Sequence, residues 1–450
     1  MSKTKDASVN LERGLKNRHI QLISIGGVIG TGLFLGSGKS IELAGPSLLI
    51  SYILIGGVVF LIARALGELL LSDTSKRSYI DFVEKYLGKR AAFITGWSYW
   101  FCWISLGMAD LTATGMYIKY WAPDVPQWLP EIIVLVILAI VNFSAVKYFG
   151  EIEFWFALIK VIAVLGLIIV GTILLIANFG KGNDTSISNL WNHGGFFPNG
   201  ASGFLLSFQK VTFAFVGVEV IGIMAGEAKD PETNLPKAIN NVPIRVAIFY
   251  VGALFIIMCV RPWTEYTANF SPFVQVFEQA GILIGATIVN FVVLTSAASA
   301  CNSAIYSTSR MLHSMGENEQ GPSRAANLNK NGVPASAVLM STIVILVAVI
   351  VNYFFPSEAF DILSSLSTIC FVFVWGVIVW THKKYRDITK KPKAFPMPFY
   401  PYSTYLIFAF IAIVTIIMLF ISDTLVAIIC LPFWLGGLFV IYNLKYKGTK

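Results

Sequence analysis

An all-α fold of membrane-spanning helices is what this sequence predicts, and three observations lead there. The chain is 56% hydrophobic and only 13% charged, whereas a soluble domain carries about 25% charged residues. Its apolar residues are gathered in long runs rather than in alternation. There are twelve such runs, each near the roughly 20 residues a helix needs to cross the hydrocarbon core. In hydrocarbon every backbone polar group must be paired internally, so runs of this length read as helices.

In order, the runs cover 19–39, 46–71, 93–121, 131–149, 154–179, 203–226, 241–262, 280–312, 335–355, 359–382, 403–421 and 425–443. Residues 1–18 are polar and of mixed charge, so a cytoplasmic tail rather than a cleaved leader is expected before them. The expected organisation is a first group of five helices over 19–179, an external loop at 180–202 and a second group over 203–382. A basic cytoplasmic loop at 383–402, two further helices over 403–443 and a tail at 444–450 complete it.

Charge orients the chain. With the N-terminus inside, twelve crossings put both termini and every even-numbered loop in the cytoplasm, and these segments hold 26 of the 33 basic residues. Lys39, Lys181 and Arg261 are left outside, with Lys119 near an outer helix end. The positive-inside rule therefore accounts for the net charge of +8 with the lipid bilayer as the surroundings and without nucleic acid as a partner. The five cysteines all fall within apolar runs, where they read as small buried hydrophobes. An odd count without a C-x-x-C spacing, together with four scattered histidines, suggests neither a metal nor another cofactor.

Residues 36–40 read Gly-Ser-Gly-Lys-Ser, like the end of a phosphate-binding loop. The full pattern requires glycine where Leu33 stands, and no strand precedes it. The glycines just before it carry more meaning. Gly26, Gly27, Gly30 and Gly32 crowd the middle of the first run. Gly26 and Gly30 alone would suit close helix packing. The sixth run, however, holds Gly217 and Glu219 at its centre, and a carboxyl group inside a membrane span is costly enough to imply function. Interruptions at matching places in two halves point to a transporter site, with helices 1–5 and 6–10 as inverted repeats.

These residues also resemble a family. From Arg18-His19-Ile20-Gln21-Leu22 to Ala44-Gly45-Pro46-Ser47 the chain is similar to the bacterial amino acid permeases, the amino acid transporter family of the amino acid/polyamine/organocation superfamily. The likeness continues in Arg64-Ala65-Leu66-Gly67-Glu68, Thr95-Gly96-Trp97, Glu151-Ile152-Glu153-Phe154-Trp155, Glu227-Ala228-Lys229-Asp230-Pro231-Glu232 and Leu294-Thr295-Ser296-Ala297. The stretch Tyr99-Trp100-Phe101-Cys102-Trp103, followed by Gly107-Met108-Ala109-Asp110, looks most like the D-serine/D-alanine/glycine permeases. The resemblance implies the leucine-transporter fold, proton-coupled uptake and a bacterial plasma membrane.

An unwound helix exposes N–H groups on one side of the break and C=O groups on the other. The amides of Gly30, Thr31 and Gly32 are accordingly expected to hold a substrate carboxylate, with the following half-helix adding partial positive charge. The resemblance implies that carbonyls near Val28 and Val216 meet the ammonium and that Phe213 is an aromatic gate. Gly107, Ala109, Ala298, Ser299 and Cys301 are expected to flank the pocket and favour a short side chain. For protons, Lys160 is the first candidate: burial would make its charge responsive to substrate and conformation. The resemblance also implies that Lys160 stands where sodium-coupled members of the superfamily bind their ion. Glu219 and Asp110 are the next candidates, and the competing reading of Lys160 is snorkelling toward the cytoplasmic interface. Arg64 and Glu68, four apart, are expected to pair. Lys210 departs from the expected apolar residue, and either lines the outer vestibule or snorkels outward.

The sequence thus predicts a proton symporter for a small neutral amino acid, serine, alanine or glycine. Exchange, a broader permease and a non-transporting sensor remain open alternatives. A membrane enzyme is excluded, because the scattered histidines provide neither a nucleophile–base pair nor metal ligands.

Overall fold

A computed structural model of the chain describes residues 29–76, 78–143, 146–177, 185–219, 230–268, 270–279, 281–329, 332–389 and 394–446, with backbone alone at 146–150, 152 and 279. The described residues contain helices and turns and no strand. Each of the twelve apolar runs contains a helix. The first, α1, runs over Thr31–Phe34 and continues after Leu35 as Gly36–Ala44. Then follow α2 (Leu48–Ser72), α3 (Lys89–Ile118), α4 (Trp128–Asn142), α5 (Val146–Ala177) and α6 (Gly200–Phe213). The remainder are α7 (Pro231–Val260), α8 (Leu283–Glu317), α9 (Ala335–Phe354), α10 (Ala359–Ile388), α11 (Tyr402–Met418) and α12 (Leu425–Tyr446). Short helices at Tyr79–Leu87, Asn189–Asn192 and Pro272–Gln279 lie between them.

Polarity sorts these helices into layers. On α5, Ile162, Ile169, Ile173 and Ile176 are exposed, and on α12 so are Leu425, Ile429 and Phe433. Such stripes belong against lipid, where exposure of apolar carbon costs nothing. The centre is α3, which packs along both α8 and α10. It is surrounded by protein, so it tolerates buried Thr95, Ser98, Ser105, Asp110, Thr112 and Thr114, which a lipid-facing helix could not. Gly107 lets α3 approach closely: a Cβ there would stand 2.8 Å from that of Ala304 on α8 and 3.2 Å from Ile345 on α9. This expected pocket residue is therefore taken up by helix packing.

Two helices are irregular at one depth. Beyond Phe213 the α6 helix gives way to turns over Ala214–Glu219, and Gly217 has φ +89°. That left-handed backbone suits glycine and breaks the helix. α7 carries a π-helical stretch, Val246–Gly252, beside this break. It aims Tyr250 so that its hydroxyl donates to the Ala214 carbonyl at 3.1 Å, pairing an oxygen that the interrupted helix no longer serves. The Tyr250 ring stacks on Phe215 with centroids 4.9 Å apart.

Candidate substrate and coupling site

The start of α1 faces the break in α6. Gly30 has extended backbone (φ −129°, ψ −165°) and is the N-cap of the half-helix that begins at Thr31. Its carbonyl accepts from the amides of Leu33 and Phe34, each at 3.1 Å. The amides of Thr31 and Gly32 head this half-helix and have no acceptor within it, as at any helix N-terminus. A Cβ on Gly32 would stand 2.5 Å from Cα and 3.0 Å from N of Ala214. The start of α1 and the broken α6 backbone therefore touch at Gly32, whereas at Gly30 no described atom lies within 4 Å of such a Cβ.

Side chains hold this junction from three directions. Thr31 donates to Asp110 Oδ1 on α3 at 2.6 Å, a short charge-assisted bond. On the α6 side, the indole N–H of Trp375 on α10 donates to Glu219 Oε2 at 3.1 Å. Asp110 Oδ2 and Glu219 Oε1 are buried without a hydrogen-bond partner among the described residues. Phe213 is buried and meets Phe360 of α10 edge-on, with centroids 5.9 Å apart. Val216 is buried in the turn, its amide bonded to the Phe213 carbonyl at 3.2 Å.

Lys160 is also buried, so its ammonium does not snorkel to the interface. It donates to Ser299 on α8 at 3.3 Å. Ser299 in turn donates to Glu153 Oε2 at 2.9 Å, and Asn302 donates to Glu153 Oε1 at 3.3 Å. Asn142 at the end of α4 completes the chain by donating to Asn302 at 2.7 Å. Lys160 lies within electrostatic reach of both Glu153 and Asp110. One cation and two carboxylates thus share a protein-enclosed site connected, through Asp110 and Thr31, to the start of α1.

Comparison with known proteins places this architecture. Residues 19–450 match the family model described as amino acid permease. The chain belongs to the amino acid permease family. It is 54% identical to the amino-acid permease AapA of Bacillus subtilis (strain 168), over 97% of this chain and 96% of that protein. It is 44% identical to the D-serine/D-alanine/glycine transporter of Escherichia coli (strain K12), over 96% and 95% of the two chains. Against the aromatic amino acid transport protein AroP of Escherichia coli O6:H1 the identity is 42%, over 98% and 97%. This permease is therefore a polytopic membrane protein of amino acid transport and not an enzyme.

Of the residues singled out in the sequence, the fold gathers Gly30, Thr31, Gly32, Asp110, Phe213, Val216 and Glu219 around the α6 break and the start of α1. Val28 lies outside the described residues, as do Gly26 and Gly27. Cys301 is fully buried on the same face of α8 as Ala304, which packs on α3. Glu153, Asn302 and Asn142 were missed. A signal existed: Glu153 and Lys160 are seven apart, two turns along one face of α5.

Two expectations gave way. Arg64 donates to Asn240 at 3.1 Å and to the Pro396 carbonyl, and its guanidinium lies over the Phe395 ring. Glu68 accepts from the Met397 amide at 2.6 Å and pairs with His382 at 3.0 Å and Arg386 at 3.3 Å. Instead of pairing mainly with each other, the two residues clamp the segment before α11. Lys210 neither lines an open vestibule nor snorkels, because it is ion-paired with Asp361 of α10.

Proposed function

We propose that this permease imports a small neutral amino acid (serine, alanine or glycine, in D or L form) in symport with a proton across a bacterial plasma membrane. The observation carrying the reading is the contact of the start of α1 with the broken α6 backbone at Gly32 and Ala214. A zwitterion between them meets amide donors from Gly30, Thr31 and Gly32 on one side and carbonyls near Val28 and Val216 on the other. Phe213 closes the outer side, and Cys301 contributes to the wall on the α8 side. Both termini are cytoplasmic, as the basic loops favour. Helices 1–5 and 6–10 then move as repeats around the site.

The charge balance of the second cluster supports proton coupling. Lys160, Glu153 and Asp110 together carry one negative charge when all three are ionised. Net charge is costly at membrane depth, and a single added proton removes it. Asp110 ties that proton to the substrate, because its partner Thr31 starts the half-helix that binds the carboxylate. Glu219, held by Trp375, is the further titratable group at the junction.

Uptake of labelled alanine into proteoliposomes, competed by a panel of D- and L-amino acids, tests the substrate class. Serine, alanine and glycine should compete at similar concentrations, and tryptophan and arginine should not. Equal competition by tryptophan would point to a broader permease, and uptake only into substrate-loaded vesicles to an exchanger.

A further inference from the structure

We propose that Lys210 and Asp361 form a latch that holds the outer half of α6 against α10 and keeps Phe213 closed over the substrate site. The inference rests on the site and orientation proposed above. Lys210 Nζ stands 2.6 Å from Asp361 Oδ1, with side-chain exposures of 5% and 23%. One helical turn further along α6, Phe213 meets Phe360, the neighbour of Asp361. Gln209 adds hydrogen bonds to Ser365 at 3.3 Å and Thr368 at 3.4 Å. Gln209, Lys210 and Phe213 lie on one face of α6, and Asp361, Ser365 and Thr368 follow one stripe of α10. The ion pair thus sits between the Gln209 hydrogen bonds and the gate ring in one continuous seam. That ring approaches α1, its Cδ1 standing 3.9 Å from where a Cβ on Gly36 would be.

Charge makes this seam behave as a latch. α6 loses its helical backbone at Ala214, so the rod Gly200–Phe213 is held by its side contacts rather than by continuity. While both charges are present they satisfy each other in a nearly dry place. Removing one strands the other, and that cost falls on the closed state, where the charge is buried. In the open state both groups meet water, and an exposed pair contributes little. The pair therefore biases the outer side toward closure without locking it. Losing one partner should raise the open-to-closed ratio on the order of tenfold or more.

The test uses the full-length protein with Gly36→Cys as reporter in membrane vesicles. A membrane-impermeant thiol reagent is applied to each face in turn, which separates a wrong orientation from a wrong latch. Lys210→Met and Asp361→Asn should each speed labelling from the outer face about tenfold, and the exchange Lys210→Asp with Asp361→Lys should return it toward the parent rate. Should Lys210→Met fail to fold, Asp361→Asn still decides, since it keeps the size and shape of the side chain at the more exposed partner. Alanine uptake by the single variants should show a lower KM together with a lower maximal rate, because the outward form needs less energy to reach and more to leave. A purely structural pair would lower the maximal rate alone. Unchanged labelling in both single variants, or fast labelling in the folded exchange variant, would overturn the latch. Labelling reads gate position without requiring transport, so its outcome is independent of whether alanine is the substrate.

Discussion

Adding one methyl group at Gly32 or at Gly30 should differ in its effect on stability, though the two glycines are only two residues apart and both border the substrate site. At Gly32 the new Cβ would lie 2.5 Å from Cα, 3.0 Å from N and 3.2 Å from Cβ of Ala214. Carbon atoms rest at about 3.5–4.0 Å, so the two backbones must separate by roughly 1 Å. Two of the three atoms are backbone and cannot rotate aside. Overpacking of this kind costs about 1–3 kcal/mol, and here it opens the contact on which the site depends. Gly32→Ala should therefore lower the thermal unfolding midpoint in detergent by a few degrees and weaken substrate binding as well. Gly30→Ala meets no described atom within 4 Å, and its extended backbone accepts any residue. It should unfold at the parent temperature yet bind alanine at least tenfold more weakly, its methyl standing in the space assigned to the substrate. Differential scanning fluorimetry and isothermal titration calorimetry on the purified variants read the two effects separately. A Gly32→Ala protein with parent stability and affinity would refute the backbone contact. A Gly30→Ala protein with parent affinity would move the substrate elsewhere.

Two other substitutions probe the supports of the site. Thr31→Val removes the donor to Asp110 and leaves a buried carboxylate without that bond, at a cost of about 1–3 kcal/mol; the loss should appear as lowered stability and as uptake less steeply dependent on external pH. Glu68→Gln keeps the shape but takes the charge from His382 and Arg386 and weakens the acceptor for Met397. If that clamp contributes even about 1 kcal/mol, trypsin should cut the 383–401 segment at least fivefold faster, and an unchanged rate would mean the clamp does not hold it.

The sequence carries the helices well because hydrocarbon leaves little choice: each apolar run holds one, and most edges shift by a few residues. The larger shifts have local causes. α4 ends at Asn142, whose amide serves both the Leu138 carbonyl and Asn302, well before its run turns polar. α5 begins at Val146, ahead of its run, and takes in Glu153, which is buried against Ser299 and Asn302 of α8 and so needs no apolar surface. The break in α6 was legible too, since glycine weakens a helix and a carboxyl group at mid-span is costly unless the protein around it is built to hold it. What was not legible is pairing across the bundle. Lys210 is an anomaly until Asp361, 151 residues away, comes beside it. Lys160 and Glu153 share a face of α5, but their link passes through Ser299 on another helix. Arg64 and Glu68 have the spacing of a pair, and a loop more than 300 positions later takes both. Spacing along one helix says which residues can meet; it cannot say which will be drawn off by a partner from elsewhere.

Proton coupling through Lys160 is tested most directly by accumulation of labelled alanine in proteoliposomes under an inward pH gradient with the membrane potential clamped. Wild-type protein should concentrate alanine, and dissipating the gradient should abolish that concentration. Lys160→Met keeps much of the side-chain length and removes the cation that faces Glu153 and Asp110. A gradient shifts a conformational equilibrium only through a difference in proton affinity between states. The variant should therefore still bind alanine and permit downhill exchange, but accumulate none above equilibrium. Accumulation as steep as in the wild type would contradict the assignment and pass the role to Asp110 or Glu219.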